Sequence, residues 1–380
     1  MSHLPPTTIG LTGMTMQGVE AKILEAIQKY AHTHNWHLFN GNTPNGKLEM
    51  FRNHRLLSGV IAVVADDEMH RTLRKFDCPV INISDTFPEK YQFPSVLSDD
   101  QRIGSLAAEY FLSRGYRNFA VHLPPGLHPY RYLNTRSQAY MKALEESGFG
   151  CFAIADLLDQ QSYNLVQKAG FLIRSFRDLP KPCAVFCSDD QIASHCCFVA
   201  QTKDIDLQIP QELAVLGVDN FELHCNMSSP PLSSIDVNPA EIGKTAAEKL
   251  HQLIEGTGPS NYFLQEVPPG DVVMRNSAFS VAIEDIHLAR AIQFILDHCH
   301  ERINVADIVR ASGINRRKLE ILFRKTYQCS ILHELNLARI KRVKKLRRDT
   351  DLPLYKIAAL SGFRDSHQMS RVFKRHGVTL

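Results

Sequence analysis

The chain has 380 residues, of which 44% are hydrophobic and 22% are charged, and its formal net charge is +3. These values are ordinary for a soluble globular protein, and no stretch approaches the roughly 18 uninterrupted apolar residues of a membrane helix. The amino terminus MSHLPPTTIGLTG lacks the basic start and apolar run of a signal peptide, so we expect a cytoplasmic protein without membrane contact.

Residues 7–256 alternate short β-rich segments with amphipathic helical segments. The predicted strands lie in TTIGLTG, WHLFNG, GVIAVVA, PVINIS, NFAVHL, CAVFCSD and LAVLGVD, and the predicted helices cover 17–34, 99–114, 135–147, 189–201 and 239–255. Strands that alternate with helices predict parallel sheets covered on both faces. The number of predicted strand–helix units is larger than a single sheet usually contains. We therefore expect two lobes, with hinges near 96–99 and 235–238.

Pro and Gly residues punctuate residues 257–283, which also carry two short β-like segments. The sequence therefore predicts a two-lobed α/β domain over residues 1–279 and an all-α domain over 280–380. Residues 284–380 hold 20 Lys and Arg against 10 Asp and Glu, whereas the rest of the chain holds 23 against 30. A basic part on an acidic body indicates that only the basic part meets a polyanion. A merely solvated basic face is the alternative.

A short unit occurs twice in the C-terminal domain, at about residues 303–326 and 352–376. Each copy is a short helix, a Ser-Gly pair and a longer basic helix. Gly313 and Gly362 can take the left-handed conformation of a tight helix exit, and Asn315 and Asp365 can begin the next helix. This is the helix-turn-helix pattern, whose second helix enters the major groove of DNA. The same geometry also serves as a packing corner in proteins that never bind DNA.

One amphipathic helix is predicted between the two copies, over residues 330–348. A helix of that length measures about 30 Å, which is close to one turn of DNA, roughly 34 Å. Two second helices at this spacing would read successive major grooves on one face of the duplex. The DNA repeat thus accounts for the repeat in the sequence.

The stretch 285–380 resembles the DNA-binding domain of the AraC/XylS family of transcription regulators, on both units and on the connecting LARIKRVKKL. By motif position, the resemblance implies that the base-reading candidates are Arg316, Arg317, Glu320 and Ile321 in the first unit and Ser366, His367, Ser370 and Arg371 in the second. The basic run KRVKKLRR is a candidate for phosphate contacts. The family usually continues through a Pro-x-x-Tyr-Arg segment, and this chain ends at GVTL without it.

Residues 7–276 resemble the two-lobed sensor domain of lactose-repressor-type regulators. The stretches that carry the resemblance are SDDQRIGSLAAEYFLSRGYRNFAV, RSQAYMKALEESG, CSDDQIA, LAVLGVDN and SSIDVNPAEIGKTAAEKL. The resemblance implies a sugar site between the lobes, with ligand candidates Arg136, Asp189, Asp219, Tyr132 and Arg131. Carboxylates accept hydrogen bonds from sugar hydroxyls, and the planar fork of arginine donates to sugar oxygens. The alternative for Asp189 and Asp219 is a helix N-cap.

The nine cysteines are scattered and contain no Cys-x-x-Cys pair. Cys196 and Cys197 adjoin His195, but adjacent residues diverge on a helix and cannot easily share a zinc ion. We therefore expect reduced thiols, no metal and no cofactor.

Together the two resemblances imply a sugar-responsive activator that binds double-stranded DNA and a pentose, with xylose as the expected sugar. A homodimer that contacts RNA polymerase is expected. The alternatives are a regulator of a different sugar, a sugar-processing enzyme with an accessory DNA-binding tail, and a DNA-binding scaffold that has lost its ligand. The enzyme alternative lacks a recognisable catalytic constellation in the sequence.

Overall fold

The computed structural model describes residues 7–15, 17–41, 56–86, 88–123, 131–155, 165–259, 261–278, 285–327, 329–350 and 352–378. The chain divides into two compact domains, Met1–Phe279 and Ser280–Leu380. Each domain has its own hydrophobic clusters. No helix in the described part of the chain has the length and apolar character needed to cross a membrane.

The N-terminal domain contains two sheets of six strands each. Its strands are β1 (Thr8–Thr12), β2 (His37–Asn40), β3 (Gly59–Ala62), β4 (Val80–Asn82), β5 (Ser95–Ser98), β6 (Asn118–Leu123), β7 (Phe152–Ala155), β8 (Cys183–Phe186), β9 (Leu213–Val218), β10 (Ser233–Ile235), β11 (Leu264–Val267) and β12 (Val272–Val273). The first lobe has the order β11-β5-β4-β3-β1-β2 and the second has β12-β10-β9-β8-β6-β7. All pairs are parallel except β10 with β12.

The helices of this domain cover the sheets. They are α1 (Gly18–Thr33), α2 (Asp67–Leu73), α3 (Pro88–Tyr91), α4 (Asp100–Leu112), α5 (Arg131–Glu146), α6 (Leu165–Asp178), α7 (Asp190–Ala200), α8 (Glu222–Met227) and α9 (Pro239–Ile254). In the first lobe, α1 packs on α9. In the second, α4 packs closely on α5, because Gly104 has no side chain to hold the helices apart. A Cβ at Gly104 would lie 2.3 Å from the carbonyl oxygen of Arg136.

The chain passes between the lobes at three places: after β5, after β10, and between β11 and β12. The first two lie at the positions predicted as hinges, and the third was not predicted as a crossing. Parallel strands in both lobes place their carboxyl ends towards the helix amino termini that follow them. In open α/β sheets this is the edge at which ligands bind.

The C-terminal domain is all helical in its described residues. Its helices are α10 (Ile286–His298), α11 (Val305–Ser312), α12 (Arg316–Tyr327), α13 (Ile331–Asp349), α14 (Leu354–Leu360) and α15 (Ser366–Arg375). One cluster around Leu319 and Phe323 serves the first helix-turn-helix unit, and a second around Phe363 and Phe373 serves the other. α13 contributes buried residues to both clusters.

The turns of the two units have the predicted chemistry. Gly313 and Gly362 have φ angles of 73° and 74°. Asn315 accepts a hydrogen bond from the Lys318 N–H at 3.0 Å, and Asp365 accepts one from the Gln368 N–H at 2.7 Å. The predicted fold class, a two-lobed α/β domain with parallel sheets followed by an all-α domain of two helix-turn-helix units, is confirmed.

Candidate functional site

Four aspartates lie just beyond strand carboxyl ends in the N-terminal domain. Asp85 follows β4 and Asp100 follows β5 in the first sheet, whereas Asp189 follows β8 and Asp219 follows β9 in the second. We call these four residues the cleft carboxylates. Each of them interacts electrostatically with Arg136 or contacts it. The parallel topology thus gathers carboxylates from both lobes around one arginine.

Arg136, on α5, is held from several directions. Its side chain is only 5% exposed, and Nε donates to Asp100 Oδ1 at 2.8 Å. Nη1 donates to the carbonyl oxygen of Ser188 at 2.7 Å and to Asp219 Oδ1 at 3.2 Å. The guanidinium lies 4.5 Å from the centre of the Tyr132 ring. The structure therefore brings together three of the predicted ligand residues: Arg136, Asp219 and Tyr132.

Asp219 has an unusual backbone. Its φ angle is 103°, in a region that residues with a side chain rarely adopt. Burial raises the pKa of its carboxyl to about 8, the charge of Arg136 opposes that rise, and Asp190 and Asp189 add to it. Such strain persists where the surrounding structure imposes it, and it clusters at functional sites. The strained carboxylate beside Arg136 is the strongest local indication of a binding site.

Asp189 is the N-cap of α7. Its Oδ1 accepts a hydrogen bond from the Ile192 N–H at 2.7 Å, which is the structural role that the sequence left as the alternative. Burial raises the pKa of this carboxyl, whereas the Ile192 hydrogen bond and the charge of Arg136 lower it. Capping uses one oxygen of the carboxylate, so the two roles are compatible. The ligand role of Asp189 stays a prediction.

Arg131, at the start of α5, makes ion pairs across the lobes. Its guanidinium lies 3.2 Å from Asp85, 2.9 Å from Glu89 and 3.2 Å from Glu266. The Tyr132 N–H also donates to Asp85. All three acids belong to the first lobe, whereas α5 belongs to the second. These contacts connect the lobes at the edge of the cleft.

Sequence reasoning missed Asp85 and Asp100. Both follow the carboxyl end of a parallel strand, as Asp219 does, so the same rule would have found them. Asp85 directly follows the predicted strand segment PVINIS. Asp100 escaped because the segment before it was taken only as a hinge and not as strand β5.

The predicted base-reading residues of the first unit lie on the outer face of α12. Arg316, Arg317 and Ile321 are exposed, and Glu320 is half-buried, while Leu319 and Phe323 are buried beneath them. Ile321 is 57% exposed, which is unusual for a large apolar side chain. Arg316 Nε donates to Glu320 Oε1 at 2.8 Å. The helix therefore presents basic, acidic and apolar groups together.

The second unit presents α15 in the same way. His367, Ser370 and Arg371 are exposed and Ser366 is half-buried, with Met369 and Phe373 buried on the other side. The Ser370 hydroxyl donates to the carbonyl oxygen of Ser366 at 2.9 Å. A DNA contact by Ser370 would therefore use its lone pairs or require this hydroxyl to rotate.

The cationic side chains of α13 lie on two sides of the helix, one facing the core and others facing solvent. Arg339 is 5% exposed and donates to the carbonyl oxygens of Cys299, Glu301 and Ile303 at 3.2, 2.9 and 3.0 Å. Lys341 and Lys344 are exposed on the other side. The side chain of Arg348, named with Lys341 in the basic run, lies outside the described residues. Within the run, Lys341 and Lys344 therefore face solvent, whereas Val343 between them is buried.

All nine cysteines are free thiols. Within the described ranges, no group of three or more His, Cys, Asp and Glu side chains is placed to hold a metal ion.

Comparison with known proteins identifies both domains. Residues 108–278 match the model of the periplasmic binding protein-like domain, and residues 308–377 match that of a helix-turn-helix domain. The xylose operon regulatory protein of Escherichia coli (strain K12) is 23% identical over 362 residues, which cover 94% of this chain and 91% of that protein. The xylose operon regulatory protein of Haemophilus influenzae is 24% identical over 323 residues, covering 84% and 82%.

Solved structures show the same architecture. The xylose-binding transcription activator XylR matches with a TM-score of 0.63 at 23% identity, covering 98% of this chain and 96% of that one. A LacI family regulator from Enterococcus faecium with bound ribose matches with a TM-score of 0.54 at 20% identity, covering 72% and 98%. The predicted pairing of a periplasmic binding protein-like domain with a C-terminal helix-turn-helix domain is confirmed.

Proposed function

We propose that this chain, which joins a periplasmic binding protein-like domain to a helix-turn-helix domain as the xylose operon regulators do, is a cytoplasmic transcription regulator that responds to xylose. The observation that carries the proposal is the set of contacts around Arg136. Its buried guanidinium donates hydrogen bonds to Asp100, to Asp219 and to the carbonyl oxygen of Ser188, at the strand ends of a two-lobed fold. Such a site suits a small polyhydroxylated ligand. The exposed basic helices of the same chain suit DNA.

In the cleft, Asp189 and Asp219 would accept hydrogen bonds from sugar hydroxyls, and Arg136 would donate to ring or hydroxyl oxygens. Tyr132 would offer its ring to sugar C–H groups, although the Arg136 guanidinium already lies over one face. Arg131 is a weaker ligand candidate because three carboxylates of the first lobe already surround it. Its contacts support a role in holding the lobes together around the sugar.

On DNA, Arg316, Arg317, Glu320 and Ile321 of α12 and Ser366, His367, Ser370 and Arg371 of α15 would read base edges. Arginine donates to guanine O6 and N7, glutamate accepts from cytosine N4, and an apolar side chain contacts the thymine methyl group. The exposure of Ile321 is compatible with that last role. Lys341 and Lys344 would contact phosphates, which adds affinity without sequence preference.

Sugar and DNA would be coupled through the lobes. A sugar that binds the closed arrangement more tightly than the open one shifts the population towards it. In a homodimer this shift would reorient the paired DNA-binding domains and favour activation through RNA polymerase. The names of the relatives, operon regulatory protein and transcription activator, support this sign of regulation.

A thermal-shift screen of the full-length protein against D-xylose, D-ribose, L-arabinose and D-glucose tests the sugar. We expect xylose to raise the melting temperature in a concentration-dependent way, because a ligand at 100 times its Kd stabilises the folded state by about 2.7 kcal/mol. A larger shift with ribose would redirect the proposal to that pentose, the ligand of the Enterococcus faecium neighbour. Flat responses to all four sugars would reject it.

A selection of bound sequences from random duplex DNA, with and without the best sugar, tests the DNA part. We expect two subsites about one helical turn apart for each chain, and tighter binding with sugar. By linkage, the selected DNA must then increase sugar affinity by the same factor. If the protein binds sugar but selects no DNA sequence, the proposed sequence-specific DNA binding is wrong and only the proposed sugar binding stands.

A further inference from the structure

We infer that Asp100 is a further ligand-binding residue and that it makes the cleft selective for uncharged polyhydroxy compounds over sugar phosphates and sugar acids. This inference rests on the proposed sugar-sensing function and specifies the class of ligand. It starts from one carboxylate with unequal oxygens. Asp100 is fully buried, and its Oδ1 accepts from Arg136 Nε at 2.8 Å and from the Ser98 hydroxyl at 2.9 Å.

The other oxygen, Asp100 Oδ2, is buried and has no hydrogen-bond donor among the described residues. A buried acceptor without a donor costs about 1–3 kcal/mol relative to one that is satisfied. A ligand hydroxyl that donates to Oδ2 would remove that cost. A ligand hydroxyl bound beside the Arg136 guanidinium would therefore supply the hydrogen bond that Asp100 Oδ2 lacks.

Asp100 also lies where the lobes meet. It begins α4 directly after the chain leaves the first sheet, and its carboxylate holds an arginine of the second lobe. Burial raises the pKa of the Asp85 carboxyl, and the nearby charge of Asp100 raises it further. The two carboxyls are therefore close enough to interact. Asp85 Oδ1 likewise has no hydrogen-bond donor in the described part of the chain, although Arg131 Nε lies 3.2 Å away.

The balance of charge in the cleft sets the class of ligand. The four cleft carboxylates face two guanidiniums, Arg131 and Arg136, and Arg131 is also neutralised by Glu89 and Glu266. A phosphate or carboxylate group placed beside Asp100 Oδ2 would supply no donor to that oxygen, and both guanidiniums already have carboxyl partners that an added anion would have to displace. Specificity arises from such unpaired and competing groups as well as from attraction. An uncharged polyol supplies donors and carries no charge.

A purely positioning role for Asp100, acting only through Arg136, makes a different prediction from a ligand-binding role. In Asp100→Asn the amide oxygen still accepts from Arg136 Nε, so Arg136 stays in place. The amide nitrogen replaces Oδ2 and cannot accept from a hydroxyl. A positioning residue therefore tolerates this change, whereas a ligand-binding residue does not.

The experiment is isothermal titration calorimetry of full-length protein with D-xylose, D-xylose 5-phosphate and D-xylonate. We expect the wild type to bind xylose at least about tenfold more tightly than either anion, and Asp100→Asn to lose about tenfold or more of its xylose affinity and to narrow the gap to the anions. The control is Asp204→Asn, which makes the same change at an exposed residue beyond the end of α7. It should behave as the wild type.

Three results would overturn the inference. Unchanged xylose affinity in a folded Asp100→Asn variant would leave the sugar-sensing function standing and remove Asp100 from the site. Wild-type binding of either anion as tight as that of xylose would refute the selectivity, and this comparison holds even if the variant does not fold. No binding of D-xylose in this titration, together with flat thermal-shift responses to all four screened sugars, would refute the sugar-sensing function itself.

Discussion

The backbone of Gly362 lies against the guanidinium of Arg339. A Cβ at Gly362 would lie 2.9 Å from Arg339 Nε, 2.3 Å from the carbonyl oxygen of Cys299 and 2.5 Å from that of Glu301. Arg339 donates to both of those carbonyls. The turn of the second helix-turn-helix unit thus packs directly on the arginine that ties α13 to the segment before the first unit.

We predict that Gly362→Ala destabilises the C-terminal domain by about 3 kcal/mol or more, because a side chain there combines an unfavourable positive φ angle with overlap against backbone atoms that cannot move away. Denaturant unfolding of the full-length protein measures the loss. DNA binding by fluorescence anisotropy should fall with it.

Gly313→Ala is the matched control for this change. Gly313 occupies the same position in the first unit with nearly the same φ angle, but the nearest atoms to its Cβ position are 3.7 and 3.8 Å away. Only the conformational cost of roughly 1–2 kcal/mol then applies. Equal losses at the two glycines would show that packing against Arg339 adds nothing.

Arg136→Ala should destabilise the N-terminal domain as well as abolish the response to sugar. The change leaves the fully buried Asp100 without its cation, and removal of one partner of a buried pair costs about 3–5 kcal/mol. Asp219→Asn keeps an acceptor for Arg136 and should melt near the wild type while losing most of the sugar-induced shift. Differential scanning fluorimetry with and without xylose separates the two effects. An Arg136→Ala variant as stable as the wild type would contradict the ion-pair geometry.

Asp85 predicts a pH dependence of stability. Burial, aided by Asp100 and opposed by Arg131, raises the pKa of its carboxyl from 3.8 to about 7. Between these values the folded state binds the proton more tightly than the unfolded state, so the free energy of unfolding falls as pH rises through this window. The slope is at most about 1.4 kcal/mol per pH unit for one group.

Asp85→Asn should therefore flatten the fall in stability between pH 5 and pH 7, as measured by urea unfolding at intervals of half a pH unit. Part of the slope should remain, because burial also raises the pKa of Asp190 to about 6 and that of Asp219 to about 8. Asp204→Asn serves as the control. Identical slopes in the wild type and Asp85→Asn would reject the raised pKa.

On DNA, Arg371→Ala should cost about 1–3 kcal/mol at the selected site and relax base preference at one position, as should Arg317→Ala. Both side chains are exposed on the outer faces of their helices. Lys341→Ala should weaken binding to selected and random DNA alike and reduce the salt dependence. Anisotropy titrations with both DNAs at several salt concentrations make the comparison. Equal losses on both DNAs for all three variants would show that α12 and α15 do not read bases.

The features predicted best from the sequence depend on residues within a few positions of each other. The caps at Asn315 and Asp365 and the positive φ angles at Gly313 and Gly362 are local, and the sequence specifies them. Strands β5 and β10 were missed because SVLS and SSI are rich in serine. They are strands because neighbours in the sheets pair with them: β4 and the distant β11 with β5, and β9 and the distant β12 with β10.

In the cleft, too, contacts between residues far apart in the chain were not predictable from the sequence. The resemblance located Arg136, but nothing near it in the sequence indicates that its guanidinium is buried. That burial comes from Asp100 on α4 and from Ser188 after β8, which lie 36 and 52 residues away. A side chain expected to extend towards a ligand is therefore also a core residue, which is why its removal should affect folding.

The 19-residue helix α13 has a consequence for the DNA that this chain would recognise. A continuous helix cannot lengthen without losing backbone hydrogen bonds, and α13 packs into both clusters, so it holds the two units at a fixed separation. Each base pair inserted between the two subsites displaces the second by about 3.4 Å and turns it by about a tenth of a helical turn. Insertions and deletions there should disable an operator, whereas substitutions of the intervening bases leave both subsites in register. Operators of this protein should therefore vary in the sequence of that spacer and keep its length.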